Sequence, residues 1–173
     1  MMYDGKITVY RDPYGDDWKI SETSEDDISY ETFKRSVRNH QIEVMMCMDF
    51  IASKISAAGM AHDFTKDSQS SMYFRDFLNW KINDVSMDEG EWFPMHIKAE
   101  RHHLRKHVPD DVNLIDVIEM VCDCVCAALA RSEDGTVRPL DLDGEMLKKA
   151  VQNTVELVRE PCVVVGERGE DMG

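Results

Sequence analysis

The stretch "VMMCMDFIASKISAAGMAHDFTK", residues 44–66, decides how the rest of the chain is read. Its apolar residues continue a pattern that begins near Ser29. Phe33, Val37, His40, Val44, Met48, Ile51 and Ile55 recur at three- and four-residue steps, the spacing of one face of a long helix. Six of these seven are apolar, so His40 stands out on a face expected to meet the core. Gly59 is the expected C-cap, and a short second helix is expected to start near Met60. It places His62 directly before Asp63, with Lys66 three residues on. A polar helix end accounts for such a pair, and so do two adjacent metal ligands.

Downstream, "SQSSMYFRDFLNWKIN" (68–83) predicts a helix with Phe74, Phe77, Leu78 and Trp80 inward. Between Pro94 and Pro109, a helix starter and a helix stop, lie His96, Glu100, His103 and His107. Their i, i+4, i+7, i+11 spacing puts them on one helix face, with His102 about 100° around the axis. The segment "NLIDVIEMVCDCVCAALAR" (113–131) is apolar nearly all round, which predicts a buried helix. Asp116, Glu119 and Asp123 share one of its faces, and Leu114, Ile118, Val121 and Val125 lie opposite. A helix N-terminus favours Asp116 and Glu119, but Asp123 lies mid-helix. Buried carboxylates need a cation beside them. The last predicted helix, "DGEMLKKAVQNTVELVRE" (143–160), turns Met146, Leu147, Val151, Val155 and Leu157 or Val158 inward.

The flanks differ in character. "KITVYRDPYGDDWKI" (6–20) reads as two short strands about a turn, and "CVVV" (162–165) as a strand that could pair with them. The expected organisation is therefore a hairpin and linker over 1–28, a helical domain over 29–160 and a tail over 161–173. The fold class is all-α, a helical bundle with a small N-terminal β-hairpin.

At 173 residues the chain can bury one real core. Its net charge of −14 repels nucleic-acid backbones, so no duplex partner is expected. No unbroken apolar run reaches the roughly 18 residues that span a bilayer, and "MMYDGKITVY" lacks the pattern of a signal peptide. The five cysteines are an odd count, and "CDCVC" holds no CxxC pair, which suits buried thiols in a reducing compartment. Together these point to a cytoplasmic protein with no membrane partner; self-association stays open.

Histidines and carboxylates drawn from separate helices suit a divalent transition metal, Mn, Fe, Co, Ni or Zn, held in a bundle core. A metal accounts at once for His40 on an apolar stripe, Asp123 on a buried helix and the adjacent His62 and Asp63.

His40, then "HDFTK", then "RHH", then "VCDCVCAAL" is similar to the H…HD…D signature of the HD-domain superfamily of metal-dependent phosphohydrolases. More closely, residues from about 30 to 158 resemble an uncharacterised HD-like family of small bacterial and phage proteins through "ERHH", "PDDVNLIDVIEM" and "NTVEL". The resemblance implies an all-helical fold and one or two metal ions. It makes His40, His62, Asp63 and Asp123 ligands, with His96, His102 and His103 as further ones; helical phase favours His103 over His102. It implies hydrolysis of a nucleotide or other small phosphate ester through a metal-activated water. Lys66 and Arg101 would contact the phosphorylated substrate. Asp63 would bridge the ions where two are bound, and Glu100 or Glu119 would act as base or as partner to a histidine. Two rivals keep the same ligands: a di-iron oxygenase and a non-catalytic metal-containing module.

Overall fold

The computed structural model describes residues 6–10 and 29–165. The described chain is all-α with one two-stranded sheet. In order come β1 (Ile7–Tyr10), α1 (Tyr30–Ala61), α2 (Phe64–Ser68), α3 (Ser70–Asn83), α4 (Trp92–Ala99), α5 (Leu114–Arg131), α6 (Gly144–Arg159) and β2 (Cys162–Val165). The fold divides into two compact units, Met1–Ala52 with Glu156–Gly173, and Ser53–Val155.

In the first unit, β1 pairs with β2 in parallel, from Ile7 opposite Cys162 to Tyr10 opposite Val165. The strand expected at 162–165 thus pairs with the first strand of the N-terminal segment, as its sequence allows; the second strand of the expected hairpin lies outside the described residues. The Thr32 amide donates to Ser29 Oγ at 3.0 Å as α1 begins. Most of the predicted α1 stripe is exposed: Phe33, Val37, His40, Val44 and Met48 all face outward, and Phe50 is the helix's buried residue. Three-and-four spacing reports which residues share a face, not whether a neighbour covers it. By length and mean hydropathy an 18-residue window within Tyr30–Ser68 could cross a membrane, a test that core helices and signal sequences also pass.

In the second unit, α1 runs through Gly59 to Ala61. A mid-helix glycine costs only about 1 kcal/mol relative to alanine. The left-handed turn expected near Gly59 falls instead at Asp63, φ 58°, a conformation that aspartate and asparagine tolerate better than most residues. Asp63 is the N-cap residue of α2, and the Lys66 amide donates to its carbonyl at 2.8 Å.

The core of this unit is Leu104, Val112, Met120, Met146 and Ala150. α5 starts with a capping box, Asn113 accepting from the helix and Asp116 accepting from the Asn113 amide. The Leu114 amide donates to Thr154 Oγ1 at 2.8 Å, and Asn153 Nδ2 to the Val112 carbonyl at 2.8 Å, which tie α6 to the start of α5. Three inward faces differ from expectation. α5 buries Ile115, Asp116 and Met120, while Ile118, Val121 and Val125 are partly exposed and Leu129 is 64% exposed. The carboxylate stripe, not the apolar face, turns inward, because each acid there finds a basic partner. α6 buries Met146, Ala150 and Thr154, leaving Val151 and Val155 out. α3 exposes Phe74 and Trp80 and buries Asp76, whose Oδ2 accepts the Trp92 amide at 2.7 Å and so caps α4. Gly90 makes this possible: a Cβ there would collide with the Asp76 carboxylate.

Candidate metal site

The turn at Asp63 aims its carboxylate into the second unit. Oδ2 accepts from Lys66 Nζ, and Oδ1 is buried with no hydrogen-bond partner among the described residues. A buried carboxylate oxygen left orphaned is costly unless a cation lies against it. Ring nitrogens face it: His96 Nε2 at 3.5 Å and His102 Nε2 at 3.8 Å from Oδ1, and His62 Nε2 at 3.3 Å from Oδ2. His103 Nε2 lies 2.7 Å from His96 Nε2. Asp63, His96, His102 and His103 thus form a compact donor group that could hold a metal ion, and His62, His102 and Glu119 form a second.

The predicted helix carrying the histidines is shorter than expected. α4 ends at Ala99, and Glu100 adopts an extended backbone. The reason is tertiary: the Glu100 carboxylate accepts from both the Thr65 amide (2.9 Å) and Thr65 Oγ1 (2.7 Å). His102 and His103 therefore sit on the turn that follows, and both reach the cluster. His107 is exposed and outside it.

The hydrogen bonds behind the cluster fix which nitrogen of each ring is free. Thr65 Oγ1 spends its single proton on Glu100, so at 2.6 Å it must accept the Nδ1 proton of His96. That leaves the His96 Nε2 lone pair toward Asp63. Glu119 Oε1 accepts Nδ1 protons from His62 and His102, each at 3.0 Å, with the same consequence for their Nε2 atoms. Carboxylates and hydroxyls that hold the far nitrogen of a ring are the usual support of metal-ligating histidine. Trp92 stacks on His96 with centroids 4.3 Å apart, and its Nε1 donates to the Thr65 carbonyl at 3.3 Å.

Burial pushes the His96 and His103 pKa values down to about 4, so both rings are neutral. His102 goes the other way: burial opposes protonation, but the Glu119 hydrogen bond and charge outweigh it. Burial would raise the Asp63 pKa, yet the Lys66 hydrogen bond and charge hold it below the ordinary value. Glu119 is likewise held down against its burial by His102 and His62. Neutral His96 and His103 and ionised Asp63 and Glu119 are in the protonation states a divalent metal requires, whereas a metal at His102 would have to displace the proton that Glu119 favours there.

The other predicted residues fall as follows. Asp123 stands at the edge, its Oδ1 3.6 Å from His62 Nε2. His40 is exposed on α1, in the other unit, and joins neither donor group. Arg101 is held by Asp116 at 2.7 and 2.9 Å and by Asp111 at 3.0 Å, which raises its pKa and leaves it a structural clamp. Glu100 is a buried support of Thr65. Thr65, Asp76 and Trp92 were not among the predicted site residues. Thr65 lies within "HDFTK", but nothing in its polarity marks it as buried.

The fold and site define a small helical protein with a buried histidine–carboxylate cluster able to take a metal. The chain belongs to a family of unknown function (DUF5662), which matches residues 29–160. No curated protein and no solved structure matches it.

Proposed function

We propose that this protein is a metal-dependent phosphohydrolase acting on a small phosphate ester, with a centre that keeps Asp63 of the HD pair as a ligand and takes its imidazoles from His96, His102 and His103. The observation that carries the reading is the buried Asp63 Oδ1, without a hydrogen-bond partner among the described residues, faced by the Nε2 atoms of His96 and His102. Asp63, His96, His102 and His103 would hold the ion, a divalent Mn, Fe, Co, Ni or Zn. A bound divalent ion supplies a water of lowered pKa and polarises a phosphoryl oxygen. The protein's own residues do the rest. Thr65 and Glu119 hold three imidazoles in one tautomer, and Trp92 keeps His96 in place. Lys66, whose side chain is 35% exposed beside Asp63, is the cation placed to meet a phosphate oxygen. Asp123 and His62 line the open side, where an incoming ester would lie.

Asp63→Asn tests the site, because asparagine accepts the left-handed backbone while losing the charge. The variant should fold and lose its metal by elemental analysis, together with phosphate release from a panel of phosphomonoesters. A folded variant with full metal occupancy would overturn the ligand assignment. Wild-type protein that carries two irons and consumes O₂ without releasing phosphate would overturn the hydrolase reading in favour of an oxygenase.

A further inference from the structure

A cavity of about 260 Å³ opens beside the cluster. Its polar end is His62, Glu119 and Asp123, the same residues that border the candidate metal site. The remainder is apolar: Ile55, Ala58 and Gly59 from the end of α1, and Ile115 and Ile118 from α5, with two cysteine thiols. It is smaller than the ~300–1,000 Å³ typical of sites for drug-sized ligands.

Among the described residues, the lining contains no arginine, lysine, asparagine, glutamine, serine, threonine or tyrosine. Its one strong side-chain donor is His62, and the His62 Nδ1 proton is already given to Glu119. The wall backbone of Ile55 lies within α1 and that of Ile115, Ile118 and the two cysteines within α5, where its polar groups are paired. A nucleobase or a sugar placed here could donate only to the carboxylates at the polar end, and its other polar groups would lose hydrogen bonds to water against the apolar walls, which is unfavourable. The two carboxylates would also repel a phosphate placed among them, so the phosphate belongs at Lys66 and the cluster, outside the cavity.

We infer that the cavity receives the organic group of the substrate, and that this group is a short alkyl chain, so that the ester is an alkyl phosphate rather than a nucleotide. This rests on the phosphohydrolase reading for its phosphate half alone; the apolar half rests on the cavity.

Two ligand series separate the halves: alkan-1-ols and alkylphosphonates, each from one to six carbons, titrated against metal-loaded protein by chemical-shift perturbation. Burial of one methylene is worth roughly fourfold in affinity, so both series should tighten about fourfold per carbon until the cavity is full. Gly59→Leu supplies the control. Nothing lies within 4 Å of a Cβ at Gly59, so leucine can enter the cavity without displacing its neighbours. Leucine is also the better helix former. That variant should keep its metal and lose the chain-length dependence. Absence of a chain-length increment in both series overturns the inference, even where methylphosphonate binds and the phosphohydrolase reading survives. An increment that persists in Gly59→Leu overturns it too, by placing the chain elsewhere. Alcohols that tighten with length while no phosphonate exceeds its matching alcohol would keep the apolar site and overturn its phosphate half.

Discussion

Thr65→Val removes one hydroxyl and almost no volume. In the wild type that hydroxyl donates to Glu100 at 2.7 Å and accepts from His96 Nδ1 at 2.6 Å, inside a site where Thr65, His96 and Glu100 are all at most 4% exposed. The Thr65 amide still serves Glu100 in the variant. What is lost is the acceptor that keeps the His96 proton on Nδ1, so His96 is free to place its proton on Nε2, where a ligand lone pair is needed. Loss of such outer support typically lowers metal affinity 10–100-fold, equivalent to about 1.4–2.7 kcal/mol. Metal-free protein should be destabilised as well, by about 1–3 kcal/mol for the unpaired buried group, or roughly 2–4 °C in Tm per kcal/mol in a chain of this size. Competition with a chromogenic chelator gives the affinity, and thermal unfolding of the metal-free form gives the stability. Thr65→Ser should restore most of both. A Thr65→Val protein that binds metal as tightly as the wild type would refute the tautomer argument, whatever its Tm.

Asp116→Ala should keep its metal, since Asp116 serves the α5 capping box and Arg101; it should lose about 1–3 kcal/mol in denaturant unfolding. Metal loss in that variant would mean that the acid at the start of α5 belongs to the site. Gly90→Ala should cost about 1–3 kcal/mol by forcing Asp76 off the Trp92 amide, and Asp76→Ala in the same background should then add little further, as a double-mutant cycle will show. The pH dependence has a definite sign. His96 and His103 titrate near 4 in the fold against 6.5 in the unfolded chain, so between those values the unfolded state binds more protons. Metal-free protein should therefore lose stability as pH falls from 6.5 toward 4, with His102, whose pKa is raised, partly opposing the trend. A urea midpoint that rises on acidification across this window would contradict the burial of the two rings.

Much of the architecture was legible because helix periodicity survives in the sequence. The starts of α1 and α5 and the Asp116 cap carry local signals, Ser29 and Asn113, that need no tertiary information. The inward faces were harder. α5 reads as a buried apolar helix, yet it turns its acids inward, because Arg101, His62 and His102 come to meet them from segments that its own sequence does not mention. The end of α4 was invisible for a related reason: the periodic histidines argue for continuation, and only the pull of Thr65 on Glu100 stops it. In the site, His62, Asp63, His96, His102 and His103 stood out by residue type. Thr65 and Trp92 did not, since a threonine and a tryptophan on short helices look like ordinary packing. His40, a rare residue on an apolar stripe, faces outward on α1.

The parallel pairing of β1 with β2 sets the order in which this protein can be built. Ile7 meets Cys162, so the partner of the first strand is made only after every helix between them. At about 5–20 residues per second of synthesis, β1 waits on the order of 8–30 s on the ribosome with its edge unpaired. The site-bearing unit Ser53–Val155 is complete before that moment. The histidine–carboxylate cluster can therefore assemble before the sheet closes.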